Sequence, residues 1–278
     1  MADHTNKFKT KYNWLKNLVA IFVNIFFFAP FYIIIALSFK ARGDRSSHWL
    51  FPKKPQLQAY VYAFKNGKIG LAIINTLIVT SFSVLLIVIF GSIASYPLAR
   101  HRNRINRFIL SAFVGVMMVP PLSVLVPIYK LMVRMGGINT YWGIILLTTT
   151  YGLPMSIFMF TNFISTIPKE LDEAALLDGC SQFAIFHKIV LPNMLPVVSS
   201  VIILTGVSIY NDYSFQLYIL QKPKLRTITL AMSSFFSERL SYLPAAAAAA
   251  VMAVLPVIIL YLFLQKYFIK GTIDSAVK

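Results

Sequence analysis

The stretch PKELDEAALLDGCSQFAIFHKIVLP, residues 168–192, is out of keeping with the apolar, basic chain around it. Four of the nine carboxylates, Glu170, Asp172, Glu173 and Asp178, fall within it. Pro168 suits the first turn of a helix, where its missing N–H costs nothing, and Glu170, Asp172 and Glu173 then lie at the positive end of the helix dipole. That helix should run to about Leu177. Gly179 stands where a left-handed residue would end it, and Ser181 can cap a second helix carrying Phe183, Phe186 and Val190 on one face. The pattern predicts two short helices joined by a bend, neither long enough to cross a bilayer. Ala174 and Ala175 offer a small-residue surface and Phe183, Ile185 and Phe186 an apolar one, which together ask for a protein partner. An amphipathic pair lying among lipid headgroups is the alternative, and the acids disfavour it because anionic lipid repels them.

The rest of the chain is of a different kind. Its 278 residues are 58% hydrophobic and 13% charged, more apolar than a water-soluble domain requires. The formal charge of +17 does not indicate nucleic-acid binding, because the cations sit between long apolar runs instead of clustering on one soluble face. A single cysteine, Cys180, excludes an intrachain disulfide and any multi-cysteine metal site.

Crossing a hydrocarbon core of about 30 Å takes about 20 helical residues. Segments 15–38, 70–97, 107–133, 138–164, 193–213 and 244–268 meet that length, so the sequence predicts an all-α membrane protein with six spans. The cationic start of the chain precedes an apolar run longer than a signal-peptide core with no small-residue cleavage site after it, and is read as a retained first span. Connectors 39–69 and 214–243 should lie on one side of the membrane, and the N-terminus, 98–106, 165–192 and the C-terminal tail on the other. Lys and Arg divide equally between the two sides, so the positive-inside rule does not orient the chain.

Orientation comes from a resemblance. Glu173-Ala174-Ala175, three residues, Gly179, nine residues and Ile189-Val190-Leu191-Pro192 match the EAA---G---------I-LP signature of ABC importer permeases. Around it, LFPKKPQLQAY (50–60), NTLIVT (75–80), VPPLSVLVPIYKLM (119–132), NTYWGIIL (139–146) and KYFIKGTIDSAVK (266–278) resemble the carbohydrate-uptake branch of that family, most closely the smaller permease of the maltose-type transporter. The resemblance implies the type I importer permease fold, with 165–192 as a coupling loop docked in a cleft of a cytoplasmic ATPase. Glu173 would be the paired charge, Ala174 and Ala175 would permit close approach, Gly179 would make the bend, and Asp178, Phe183, Leu191 and Pro192 would complete the coupling surface. The loop and both termini would be cytoplasmic, with 1–14 an N-terminal segment, 15–268 the permease domain and 269–278 a tail in a prokaryotic cell membrane. Two departures from the family pattern are Tyr210-Asn211 in place of Trp-Asn, and Asp274-Ser275 where a glycine often precedes Ala-Val-Lys.

The chain itself shows no sign of catalysis. It has no GxxxxGK[ST] loop, its four histidines are scattered, and no nucleophile motif surrounds a serine, so it should bind no cofactor, with ATP and Mg used by a partner ATPase. Polar side chains within spans are few, and Asn75, Tyr210, Asn211 and Asp212 are the candidates for a translocation pathway. The partners implied are a second permease, two ATP-binding subunits, an external solute-binding protein, membrane lipid and a sugar, and no nucleic acid. A permease for a non-sugar solute and a stand-alone secondary transporter or channel remain open alternatives.

Overall fold

The computed structural model describes residues 2–101, 103–238 and 242–276, and among them there is helix and no strand. In chain order the helices are α1 (Ala2–Ser38), α2 (Gln58–Lys65), α3 (Ile69–Arg100), α4 (Arg104–Met117), α5 (Leu125–Arg134), α6 (Tyr141–Ile164), α7 (Glu170–Leu177), α8 (Gln182–Ile185), α9 (Leu191–Asn193), α10 (Leu195–Tyr210), α11 (Ser214–Ile219), α12 (Ile228–Glu238) and α13 (Leu243–Ala276). The N-terminal segment and tail expected outside the spans are thus continuous with the helices of the first and last spans. The chain divides into two compact units, Met1–Ile69 with Ser234–Val254 and Gly70–Ser233 with Leu255–Lys278.

In the first unit α1 is exposed over most of its apolar length, and burial begins only at Ala36, Leu37 and Ser38. An apolar helix so little covered by its own chain needs lipid or another protein around it. The connector after it is pinned by Lys40, which is 1% exposed and donates its ammonium to Ser46 O, Ser46 Oγ and Ser47 O at 3.2, 2.7 and 2.8 Å. Those contacts satisfy all three ammonium donors, which is what allows a lysine to be buried. Phe39 stacks against Phe51 and Tyr60, and the Tyr60 hydroxyl meets Ser38 Oγ at 2.8 Å.

In the second unit α3 and α6 pack closely. Gly152 lies against Ile87, whose Cδ1 a β-carbon would meet at 2.4 Å, so a side chain there would have to displace the tip of Ile87. Ser83 and Thr148 share a hydrogen bond of 2.7 Å between them, and Ser95 Oγ donates to Gly91 O and Ile157 O. Small residues and short hydroxyls serve this purpose inside a membrane, where apolar association brings no gain.

Among the described residues four helices are long and apolar enough to cross a membrane alone, and two bent pairs raise that to six if each pair makes one span. The expected span 107–133 is one of the pairs, with Arg104–Met117 and Pro121–Arg134 meeting at 93°. Pro120 and Pro121 have no N–H, and the first of them forces Val119 away from helical geometry. The span expected at 193–213 is the second part of the other pair, Gln182–Asn193 with Leu195–Tyr210 at 73°. Ahead of that bend the backbone widens to a π turn over Phe186–Val190. Pro192 follows at once, and its ring would collide with the carbonyl four residues back in a regular helix.

Candidate functional site: an exposed acidic loop and an aromatic-walled cavity

The two-helix loop read from residues 168–192 is present, with its bend built from local hydrogen bonds. Gly179 has φ +80°, its N–H donates to Leu176 O at 3.0 Å, and Cys180 N–H reaches back to Ala175 O at 2.9 Å. This pair is the Schellman ending of a helix, in which a left-handed residue lets the chain satisfy its last carbonyls. No atom lies within 4 Å of where a β-carbon of Gly179 would stand, so the demand for glycine is conformational and not steric. Ser181 Oγ then accepts from Ala184 N–H at 3.3 Å and caps α8.

Burial divides the loop into an outward and an inward set. Glu170, Glu173, Ala174, Asp178 and Gly179 are exposed, together with Leu177 (90% exposed) and Phe183 (72% exposed). Ala175, Ile185, Phe186 and Val190 are buried in the core of the second unit. Of the two alanines only Ala174 therefore presents its methyl outward. Phe183 does not share a face with Phe186 and Val190 as its spacing predicted: it stands exposed while they are buried. Leu191 is half-buried and Pro192 exposed. Asp172 also turns inward, onto Arg100 at the end of α3. The outward surface thus combines Glu170, Glu173 and Asp178 with uncovered leucine and phenylalanine side chains, a face complementary to a cationic, partly apolar cleft.

A second site lies at the Pro120–Pro121 break. A cavity of about 500 Å³ is lined by residues of α6 and α10, the turn after α4 and the start of α11. Tyr151 and Phe215 face each other in its wall with ring centroids 4.6 Å apart, and Thr148, Ser208, Ser214 and Asp212 add polar atoms. Asp212 accepts from Phe215 N–H and Gln216 N–H at 3.4 and 3.2 Å, which caps α11 and leaves the carboxylate at the cavity wall. Of the four pathway candidates only Asp212 lines this space. Tyr210 is buried and Asn211 donates to Val207 O. Asn75 is held by Tyr141 and by the carbonyls of Lys224 and Arg226. The aromatic wall went unread in the sequence, although TTTY (148–151), four consecutive polar or amphipathic residues inside an apolar span, carried a signal for it. Among the described residues no group of His, Cys, Asp and Glu is placed to hold a metal ion.

Comparison with known proteins agrees with this architecture. Residues 87–274 match the family model described as binding-protein-dependent transport system inner membrane component. The melibiose/raffinose/stachyose import permease protein MelC of Bacillus subtilis (strain 168) is 42% identical over 271 residues, covering 97% of this chain and 98% of that protein. The arabinooligosaccharides transport system permease protein AraQ of the same organism is 29% identical over 283 residues and covers 100% of both chains. Among solved structures, a bacterial ABC transporter involved in the import of the acidic polysaccharide alginate has a chain that superposes with a TM-score of 0.81 at 20% identity, over 93% of this chain and 97% of that one, a likeness of fold. The resemblance drawn from Glu173 to Pro192 and the flanking stretches is borne out: this chain belongs to the family of inner membrane components of binding-protein-dependent transport systems.

Proposed function

We propose that this chain is the membrane-spanning permease subunit of an ATP-driven importer that takes up a sugar or oligosaccharide delivered by a solute-binding protein. A second permease and two ATP-binding subunits complete the assembly, and ATP and Mg are used on those subunits, this chain binding no cofactor. The observation that carries the reading is the loop of α7 and α8, which bends at a left-handed glycine and presents Glu173, Ala174 and Phe183 outward where an ATPase cleft would receive them. The names of the relatives, which specify melibiose, raffinose, stachyose and arabino-oligosaccharides, favour a short saccharide as the cargo.

In this reading Arg104–Met117 with Pro121–Arg134 is one bent span and Leu195–Tyr210 is the fifth, giving six, while Gln182–Asn193 belongs to the loop, and the loop 165–192 and both termini are cytoplasmic. Closure of the ATPase dimer draws the coupling loops together and opens the spans outward, and the cavity at Tyr151, Phe215 and Asp212 forms part of the route. An aromatic face beside a carboxylate and hydroxyls suits a sugar, whose C–H faces stack and whose hydroxyls need acceptors. Tyr210, Asn211 and Asn75 belong to the proposed route outside this cavity. The test is reconstitution of the four-subunit assembly in liposomes with its binding protein and radiolabelled saccharides. Uptake should require both internal ATP and the binding protein, and uptake that needs neither would overturn the proposal.

A further inference from the structure

Arg100, the last residue of α3, meets three elements at once. Its Nε donates to Asp172 Oδ2 and its Nη2 to Asp172 Oδ1, both at 2.9 Å, and its Nη1 donates to Ile167 O at 2.8 Å and Ile164 O at 3.3 Å. Tyr96, one turn earlier on α3, donates its hydroxyl to the same Asp172 Oδ2 at 2.9 Å. The Arg100 and Asp172 side chains are 7% and 12% exposed. Asp172 lies in the first turn of α7, and Ile164 is the last residue of α6. One guanidinium thus ties the ends of both long helices to the short helix of the loop.

We propose that the Arg100–Asp172 pair is the joint through which a displacement of the loop is passed to α3 and α6. This rests on the reading of the loop as the ATPase-facing element, and it separates two tasks within one acidic cluster. Glu173 faces out and carries the docking charge, and Asp172, next to it in sequence, faces in and positions the helix that bears it. The fork geometry of arginine to a carboxylate fixes orientation as well as distance, and the pair lies away from water and salt. Pulling a buried pair apart leaves an uncompensated charge, so the three elements move together. Lysine cannot replace the arginine, because a point charge on a flexible stem does not hold two carboxylate oxygens and two carbonyls in one plane.

The test uses the assembled transporter in liposomes, with two readouts: ATPase retained on purification, and saccharide taken up per ATP hydrolysed. Arg100→Lys and Asp172→Asn should keep the ATPase and lose transport per ATP by about tenfold or more, within the range usual for coupling between linked sites. Tyr96→Phe keeps the ion pair and removes one donor, and should give a smaller loss with the ATPase fully bound. Unchanged transport per ATP in Arg100→Lys and Asp172→Asn overturns the joint. If those two fail to assemble, Tyr96→Phe decides: reduced transport per ATP with the ATPase bound upholds the joint, and wild-type transport overturns it. Glu173→Lys distinguishes this failure from that of the underlying reading, because retention of the ATPase by Glu173→Lys means that the loop does not dock it and the joint falls with the loop.

Discussion

The phenol of Tyr141 donates to Asn75 Oδ1 at 2.7 Å, and the Asn75 amide nitrogen in turn donates to Lys224 O and Arg226 O at 3.0 and 2.9 Å. One side chain on α3, 1% exposed, therefore holds the first turn of α6 and a segment about 150 residues further along the chain. Next to it Thr76 Oγ1 accepts from Ile228 N–H at 2.8 Å, which starts α12 from the same place. Asn75→Ala should leave two carbonyls and a phenol unpartnered and destabilise the protein by about 2–4 kcal/mol. Tyr141→Phe removes one bond and should cost about 1 kcal/mol. Thermal unfolding in detergent measures both, and equal effects would show that the carbonyl contacts contribute nothing.

At Gly179 the backbone is left-handed and the space around it is empty, so conformation and volume can be separated. Gly179→Asn should preserve uptake within about threefold, because asparagine enters the left-handed region at little cost. Gly179→Val should lose at least about tenfold, since a β-branched residue there is a conformational outlier. Both residues fit the space, so equal uptake by the two variants would mean that the bend has no part in coupling.

Glu173 is exposed, so its charge is available to a partner. Glu173→Lys should reduce co-purification of the ATPase, and an acidic replacement of its basic counterpart in the cleft should restore part of the loss. The exchange is a double-mutant cycle, and a coupling energy near zero would remove the pair.

Phe183 presents 72% of its surface to solvent while its neighbours on the loop pack inward. Phe183→Ala should change thermal stability by no more than about 0.5 kcal/mol, as for other surface replacements. It should nevertheless weaken ATPase binding by about 1–2 kcal/mol, the scale of an aromatic anchor at an interface. Titration of the purified permease pair with ATPase subunit measures the second quantity, and an unchanged affinity would assign Phe183 to solvent.

In the cavity wall, Tyr151→Ala removes a ring packed 4.6 Å from that of Phe215, and Asp212→Asn removes a charge while keeping an acceptor to cap α11. If saccharide passes here, both should lower uptake by about threefold or more at unchanged ATPase binding, with the ring mattering through stacking and the carboxylate through hydroxyl recognition. Wild-type uptake in both would place the route elsewhere.

The features legible in the sequence were those whose donors and acceptors lie within a few residues of one another. The end of α7 at Gly179 and the Ser181 cap need no information from elsewhere in the chain, because every hydrogen bond closes within five residues. The helical class and the placement of the long apolar segments follow from the same kind of local rule, since a backbone in lipid must pair with itself. What the tertiary structure alone decided was direction and partnership. Asp172 and Glu173 are adjacent and alike, yet one turns in to a guanidinium 72 residues away and the other faces out, because only α3 and α6 packed side by side create a buried cation for the first to meet. Two prolines follow α4 in the sequence, but the 93° bend there and the cavity lined by α6, α10 and the start of α11 exist only once those elements have come together. Asn75 was legible as a costly polar group inside a span, and its use was not, because the carbonyls that satisfy it arrive from the far end of the chain only once the helices have assembled.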